Sequence, residues 1–289
     1  MKMRENYLFI LIIIFGITLF ASCEKEVTFD FDKPAKLSLN CILNPDSTIT
    51  ARLTLSRNIE SSSTFHPVDE ATIVLYENGT ELGTLTPAGE GNYYLDYYPE
   101  SQNEYKIIVI HPDFENLTAV TMVPQKPDVT FTPDTLKRIE QTEWYWLDIN
   151  FVIHDLPGKN NYWLYEKRTV HGVTNTGGGF QNIKAPFIDD FNRSTEPESK
   201  FGFAYNYYVR ISDIGYDGKK MAFKIETVSD GLINFLSADE HYDKYIKSSV
   251  KARMNSEGEL PFKEPVQIYS NIKNGYGIFG ACAITTIKL

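Results

Sequence analysis

The sequence is poor in the residues that build disulfide frameworks and metal centres. Its 289 residues include three cysteines and five histidines. It has no Cys-x-x-Cys motif, and no two histidines stand at the spacing of a zinc site on a helix. Two of the cysteines, Cys41 and Cys282, lie in alternating apolar stretches, which favours two buried free thiols over the alternative of one disulfide bond. We therefore predict no bound metal and no cofactor.

Signatures of the common enzyme classes are also missing from the sequence. It has no Gly-x-Ser-x-Gly nucleophile elbow, and the glycines at 177–179 do not link a strand to a helix as a phosphate-binding loop does. Asp189 and Asp190 lie in a long polar segment, and Asp213 and Asp217 flank a turn. A glycosidase needs two carboxyl groups facing each other across a sugar, whereas aspartate in turns commonly binds nearby backbone. We assign no catalytic residue and predict a protein that is not an enzyme, with a hydrolase that uses these loop carboxylates as the alternative.

Basic residues are in the minority. The chain has 28 lysines and arginines against 38 aspartates and glutamates, which gives a formal net charge of -10 at pH 7. Binding to nucleic acid depends on clustered Lys and Arg that neutralise phosphates, so we predict no nucleic-acid partner. Helical stretches rich in Ala, Leu, Glu and Lys are scarce, and the 18 tyrosines and 18 phenylalanines favour strands.

One long apolar run opens the chain. Lys2 and Arg4 precede an apolar stretch from Tyr7 to about Phe20, and the small residues Ala21 and Ser22 follow it. A positive start, a short apolar core and a small-residue cleavage site are typical of a secretory signal peptide. The stretch is shorter than the roughly 20 residues that a helix needs to cross a bilayer. We predict that residues 1–22 form a signal peptide, with a permanent membrane anchor as the alternative.

The cysteine at the end of this run resembles a lipid attachment site. "FASC" resembles the bacterial lipobox, with Phe20 where leucine is usual. The resemblance implies that residues 1–22 are a lipoprotein signal peptide and that the mature chain begins at an acylated Cys23. An ordinary cleavage site followed by a chance cysteine is the alternative. Several acyl chains anchor a protein stably, because each buried methylene contributes about 0.8 kcal/mol. The charged run Glu24-Lys25-Glu26 is similar to the export signal of Bacteroidetes surface lipoproteins. The resemblance implies a lipid-anchored protein of the outer membrane that faces the exterior, with residues 23–33 as an acidic tether.

Two short turn sequences are similar to the O-glycosylation sequon of the same phylum. They are "DST" at residues 46–48 and "DTL" at residues 134–136. The similarity makes Ser47 and Thr135 candidate glycosylation sites, and unmodified turn residues are the alternative interpretation.

Alternating patterns predict strands from residue 34 onward. "AKLSLNCIL" and "TITARLTLS" predict a hairpin of Leu37–Leu43 with Thr48–Ser56, and Asn78-Gly79 predicts a tight hairpin turn. Six or seven short strands separated by turn signals predict an immunoglobulin-like β-sandwich over residues 34–124. This part also resembles transthyretin-like sandwiches, an analogy of fold that implies no function.

Residues 125–289 are predicted to form a second β-rich domain with one notable α-helix near 237–255. Ser237 is the predicted N-cap, with Glu240 at the third helical position of a capping box. The predicted buried face of the helix recurs at helical spacing and consists of Tyr242, Tyr245, Ile246 and Val250. The tail "VQIYSNIKNGYGIFGACAITTIKL" predicts two final strands around a glycine-rich turn.

Aromatic residues supply the candidate binding surface. "EWYWLD" and "NYWLYEK" place three tryptophans among tyrosines, and rigid aromatics are common anchors of binding surfaces. In "SNIKNGYGIFGA" we favour glycines at positive φ with two rings that fill the sheet, and a ligand-facing aromatic turn is the alternative. The candidate ligand-facing or partner-facing residues are Trp144, Trp146, Trp163, Tyr276 and Phe279.

These landmarks together resemble an uncharacterised domain family of Bacteroidetes outer-membrane lipoproteins, often encoded near TonB-dependent receptors. The motifs are "PVDEATIVLYENG", "GNYYLDY", "IHDLPGKNNYWLY", "ISDIGYDGKK" and, most specific, "PFKEPVQIYSNIKNGYGIFGA". Glu70 stands where the family commonly has glycine. The resemblance covers nearly the whole mature chain and implies location rather than chemistry. We expect a non-enzymatic binding or accessory lipoprotein beside a TonB-dependent transporter in nutrient uptake, with a glycan or peptide as ligand. A glycan-active hydrolase of the envelope, or a structural or adhesive lipoprotein, is the alternative.

Overall fold

A computed structural model describes residues 34–57, 64–138, 145–170, 173–176, 185–189, 208–228, 231–257 and 266–288. The predicted signal peptide, the tether and Cys23 lie outside these residues. The strands up to residue 138 are β1 (Leu37–Leu43), β2 (Ile49–Leu55), β3 (Thr72–Glu77), β4 (Thr80–Thr84), β5 (Thr86–Gly89), β6 (Asn92–Leu95), β7 (Glu104–His111), β8 (Phe114–Met122) and β9 (Asp128–Arg138).

The elements after residue 138 continue the β architecture. They are β10 (Tyr145–His154), β11 (Asn161–Val170), β12 (Val173–Thr176), β13 (Ile188–Asp189), β14 (Tyr208–Ser212), β15 (Lys220–Val228), β16 (Leu232–Ala238), the helix α1 (Glu240–Glu257) and β17 (Tyr276–Lys288). Among the residues described, no helix combines the length and the apolar character needed to cross a bilayer. The prediction of a mainly β fold with one notable helix is confirmed.

One long sheet runs through the compact unit formed by Ala35–Arg57 and Ser63–Leu289. Its strand order is β13-β14-β11-β16-β17-β1-β2-β6-β5, with β12 paired to β11. The last strand, β17, is parallel to β1 and antiparallel to β16. The sheet therefore crosses the domain boundary that we predict near residue 124, because β17 joins the first hairpin to the C-terminal strands.

Two smaller sheets lie on one face of the long sheet, and α1 lies on the other. Successive residues of a strand face opposite sides. In β17, Phe279 and Ala281 join the core formed with the sheet β4-β3-β7-β8, which we call the N-terminal core. Ile287, on the same face, joins the core formed with the sheet β15-β10-β9, which we call the C-terminal core. Cys282 and Ile284 face the opposite way and pack with side chains of α1.

The first hairpin and its turn signals form as predicted. The strands β1 and β2 pair antiparallel from Leu37–Leu55 to Cys41–Ala51, and alternate side chains of both strands enter the N-terminal core. Asn78 and Gly79 both have positive φ, at 48° and 81°, as a tight primed turn requires. The local sequence therefore predicts this part of the fold well.

A carboxylate at the end of β3 is held by three neighbouring side chains. Glu77 accepts hydrogen bonds from the Tyr105 hydroxyl, from Tyr97 at 3.0 Å and from the Asn103 amide at 3.1 Å. Burial by itself raises the pKa of Glu77, but these hydrogen bonds outweigh it and lower the pKa below its usual value. The ionised carboxylate therefore stabilises this corner of the sandwich.

Cys41 and Cys282 are buried and free, so the favoured prediction of two free thiols is confirmed. Cys41 lies in the N-terminal core and Cys282 packs beneath the helix. Burial raises the pKa of each thiol to about 12. At neutral pH both side chains therefore behave as small apolar groups.

The helix exists where the sequence predicts it, but the predicted cap is wrong. Ser237 belongs to β16, where it pairs with its neighbours in the sheet. The cap is Asp239, whose carboxylate accepts the backbone N–H groups of Tyr242 at 2.9 Å and His241 at 3.1 Å. The same carboxylate also accepts the N–H of Ala281 at 2.9 Å. An aspartate can thus cap the helix and bind β17 at once, a long-range contact that the local motif does not reveal.

The glycine-rich tail forms one strand rather than the two predicted. The 13 residues of β17 run unbroken through the motif, and Phe279 is fully buried, as the favoured interpretation predicts. Gly277 has φ of 100°, and a Cβ there would lie 2.0 Å from the Leu39 carbonyl oxygen. Tyr276 is 48% exposed and does not fill the sheet. The strand continues because glycine permits both the positive φ and the close approach to β1.

Candidate functional site

A cavity of about 410 Å³ lies between α1 and the long sheet. Volumes of this size are typical of small-molecule sites. Four aromatic side chains and two cations are among its lining, so we call it the aromatic cavity. Its lining residues are Trp163, Tyr165, Lys167, Leu236, Tyr242, Tyr245, Ile246, Ser249, Val250 and Arg253.

Two periodicities build this lining. Residues at every second position of a strand share a face, so Trp163, Tyr165 and Lys167 face α1 while Leu164 and other residues of the opposite face enter the C-terminal core. On α1, the lining residues recur three and four positions apart, as neighbours on one helical face do. The rings of Tyr242 and Tyr245 are nearly parallel, with centroids 6.5 Å apart. The helical face predicted as buried is therefore the roof of the cavity.

A buried ion pair fixes one end of the cavity. Arg210 and Asp243 are only 8% and 6% exposed, and the guanidinium Nε and Nη2 each donate to one carboxylate oxygen of Asp243 at 2.8 Å. The indole Nε1 of Trp163 donates to the same carboxylate at 2.9 Å. Asp243 therefore locks the first turn of α1 onto the strands and orients the Trp163 ring.

Further partners surround the Arg210 guanidinium. It donates to Asn161 Oδ1 at 2.7 Å and to Asp189 Oδ2 at 3.1 Å, and Lys247 also reaches Asp189 at 2.9 Å. Burial by itself lowers the pKa of Arg210, but hydrogen bonds and charge interactions with Asp243 and Asp189 raise it. Two carboxylates thus share two cations in a compact network that is suited to hold α1 in place.

The carboxylates that the sequence suggests as catalytic candidates have structural roles within the described residues. Asp189 belongs to the network around Arg210, and Asp190 lies outside the described residues. Asp213 accepts the backbone N–H of Asn160 at 2.6 Å, and Asp217 accepts that of Gly158 at 2.8 Å. These two bonds tie the turn after β14 to the turn before β11, across 53 and 59 residues of sequence.

A third carboxylate strengthens the same pair of turns. Asp155 accepts the Tyr162 hydroxyl at 2.7 Å and the Gly218 N–H at 2.8 Å. Burial raises the pKa of Asp155, the charges of Asp213 and Asp217 raise it further, and the two hydrogen bonds oppose the shift. Within the described part of the chain, no group of three or more His, Cys, Asp or Glu is arranged to hold a metal ion.

The aromatic candidates separate into different environments. Trp163 is 1% exposed and forms the floor of the aromatic cavity. Phe279 was a candidate for facing a ligand, and that role is wrong because its ring is inside the N-terminal core. Tyr276 stands on the surface, with Lys36 Nζ 6.0 Å from its ring centroid. Trp144 and the side chain of Trp146 lie outside the described residues.

The candidate modification sites are only partly described. Ser47 is exposed in the turn between β1 and β2, and its N–H donates to the Asn44 carbonyl at 3.1 Å. The side chain of Thr135 lies outside the described residues. Glycosylation of either residue stays a prediction.

Sequence reasoning missed the polar network because its members are far apart in the chain. One signal was available: Asp243 stands on the apolar face of α1, between Asp239 and Ile246 at spacings of four and three residues. An acid at such a position is buried only if a partner neutralises it. That partner, Arg210, comes from β14, and its identity requires the three-dimensional pairing of strands.

Comparison with protein families identifies the chain as a member of one without an assigned activity. The profile of a domain of unknown function, DUF4249, matches residues 24–288. The match spans almost the whole sequence, and the chain belongs to this uncharacterised family. No curated protein matches the chain.

Proposed function

We propose that this member of the DUF4249 family is a non-enzymatic lipoprotein of the outer membrane that binds a small ligand beside a TonB-dependent transporter during nutrient uptake. The aromatic cavity is the observation that carries the proposal. It is preformed by α1 and the long sheet, and most of its lining residues are aromatic or aliphatic. Preformed apolar cavities with a few polar groups are typical ligand sites.

The surroundings of the cavity favour binding over hydrolysis. A hydrolase of glycans needs two carboxyl groups that face each other across a sugar. Within the described residues, the lining of the cavity has no carboxylate. Asp243, which accepts the indole N–H of the lining residue Trp163, is held by Arg210. This arrangement supports a site that recognises a ligand without transforming it.

The N-terminal sequence supports the proposed location. An acylated Cys23 followed by an acidic tether would hold the domain at the membrane surface. Tethering raises the local concentration of a binding module near its partner, so that even a weak contact is largely occupied. The resemblance to lipoproteins encoded near TonB-dependent receptors supports a transporter as that partner.

Mass spectrometry of the N-terminal peptide tests the anchor. The expected result is a peptide that begins at Cys23 and carries acyl chains. The matched variant Cys23→Ser should remain unacylated and should leave the membrane fraction. An unmodified Cys23 in the native protein would refute the proposed anchor.

Affinity purification tests the partnership with a transporter. Tagged full-length protein is purified from outer membranes solubilised in detergent, with Cys23→Ser as the control that lacks the anchor. The expected result is a TonB-dependent receptor that copurifies with the acylated protein. The accessory role is wrong if no receptor copurifies and deletion of the gene leaves uptake of every tested nutrient unchanged. A purified protein that cleaves glycans would support the hydrolase instead.

A further inference from the structure

The aromatic cavity has two chemically different ends. The hydrogen bond between Trp163 and Asp243 closes one end, at the first turn of α1. Lys167 lies four residues beyond Trp163 along β11, about 13 Å at 3.3 Å per residue. Arg253 lies ten residues beyond Asp243 along α1, about 15 Å at 1.5 Å per residue. Both cations line the cavity, so its positive end is the one remote from the tryptophan.

The charge of this end contrasts with that of the protein. The chain has a net charge of -10, yet the lining of the cavity carries two cations and, within the described residues, no carboxylate. Both cations belong to exposed residues, so a charged group of a ligand can approach them from solvent. Charge complementarity therefore favours an anionic group on the ligand.

A hydroxyl group beside the cations offers a further contact. Ser249 lines the cavity one helical turn before Arg253. Its Oγ is buried, and within the described residues it has no hydrogen-bond partner. A buried hydroxyl without a partner is costly, and a hydroxyl both donates and accepts. A polar atom of a bound ligand would satisfy it.

We propose that the aromatic cavity binds a small amphipathic anion: a molecule with a flat apolar body and one carboxylate. The body lies against the aromatic rings, and the carboxylate lies beside Lys167, Arg253 and the Ser249 hydroxyl. A neutral sugar fits less well, because it would bring no negative charge to the two cations. This inference rests on the proposed binding function and names the ligand class for the same site.

Calorimetric titration with 2-naphthoate tests the inference, and the uncharged 2-naphthamide is the matched probe. The protein is the chain from residue 23 onward with Cys23→Ser, so that no acyl chain competes for the probes. Naphthoate is expected to bind at least tenfold more tightly than naphthamide, and the difference should shrink as salt rises because exposed charges are screened. The double variant Lys167→Gln, Arg253→Gln should lose this preference.

Two further variants keep the test specific. The double variant Lys220→Gln, Lys251→Gln removes two exposed cations outside the cavity and should bind naphthoate as the parent does. Ser249→Leu extends an apolar side chain into the cavity and should weaken the binding of both probes, with circular dichroism to verify the fold. Equal binding of the two probes, no binding of either, or no effect of removing Lys167 and Arg253 would overturn the inference. A receptor that still copurifies in that case would leave the proposed accessory function standing.

Discussion

Replacement of Asp243 by alanine should cost more stability than any other single change in the described polar network. The substitution leaves the buried Arg210 guanidinium without its bidentate partner and the Trp163 indole N–H without its acceptor. Removing one member of a buried ion pair typically costs about 3–5 kcal/mol. Asp189 retains part of the compensation at 3.1 Å, so we expect a loss of about 3 kcal/mol in the free energy of unfolding.

Urea unfolding followed by circular dichroism measures this loss, because the free energy of unfolding falls linearly with denaturant. Glu240→Ala is the matched control, since it removes exposed ion pairs with Lys244 of the same helix and with Lys159. Such a pair contributes about 0.5 kcal/mol or less. A loss below about 1 kcal/mol for Asp243→Ala, or one no larger than that of the control, would contradict the reasoning.

A double variant distinguishes the cost of an unpaired charge from the cost of a lost packing contact. Arg210→Met removes the cation and keeps an apolar side chain of similar length. If the cost of Asp243→Ala arises from a stranded guanidinium, then the double variant should be less destabilised than the sum of the two single variants. Strict additivity would show that the two side chains do not act as a pair.

Three further predictions follow from separate features. Gly277→Ala should destabilise the protein by about 3 kcal/mol, because a Cβ there would contact the backbone of β1. Gly158 has a similar φ but open space around it, so Gly158→Ala should cost only about 1 kcal/mol. Equal costs of the two substitutions in urea unfolding would refute the role of the contact with β1. Cys41 and Cys282, each with a pKa of about 12, should react with a thiol reagent only after unfolding, and rapid labelling of the native protein would exclude their burial. Glu77 has a lowered pKa in the folded state. Its ionised form therefore stabilises the fold at pH values above the ordinary pKa of 4.5, and this contribution is lost as the pH falls through the folded-state pKa. Glu77→Gln should lower stability at neutral pH, the difference from the parent should shrink on acidification, and a difference independent of pH would refute the prediction.

Local signals account for the parts of the fold that the sequence predicts well. The first hairpin follows from alternation over residues 37–56, and the turn at Asn78 follows from the preference of Asn-Gly for positive φ. The helix follows from its apolar spacing. Each signal acts within a few residues, where composition and geometry are directly linked.

Long-range pairing explains what the sequence does not predict. Ser237 is a residue type that commonly forms an N-cap, but β16 continues through Ser237 because β11 and β17 pair with β16 on either side. Phe279 and Trp163 are both aromatic residues of strands, yet one enters a core and the other lines a cavity. Only the placement of α1 on the opposite face of the long sheet separates these two outcomes.

The position of β17 between β1 and β16 has a consequence for the order in which the chain can fold. Ribosomes make β17 after every other described strand, so β1 awaits a neighbour from the far end of the sequence. Phe279 and Ala281 are part of the N-terminal core, and that core therefore has a gap until β17 arrives. Pairings between such distant segments have high contact order and form slowly. During this interval the open edge of β1 can pair with other extended chains. A chaperone that binds unpaired strands would therefore act most usefully before β17 pairs with β1.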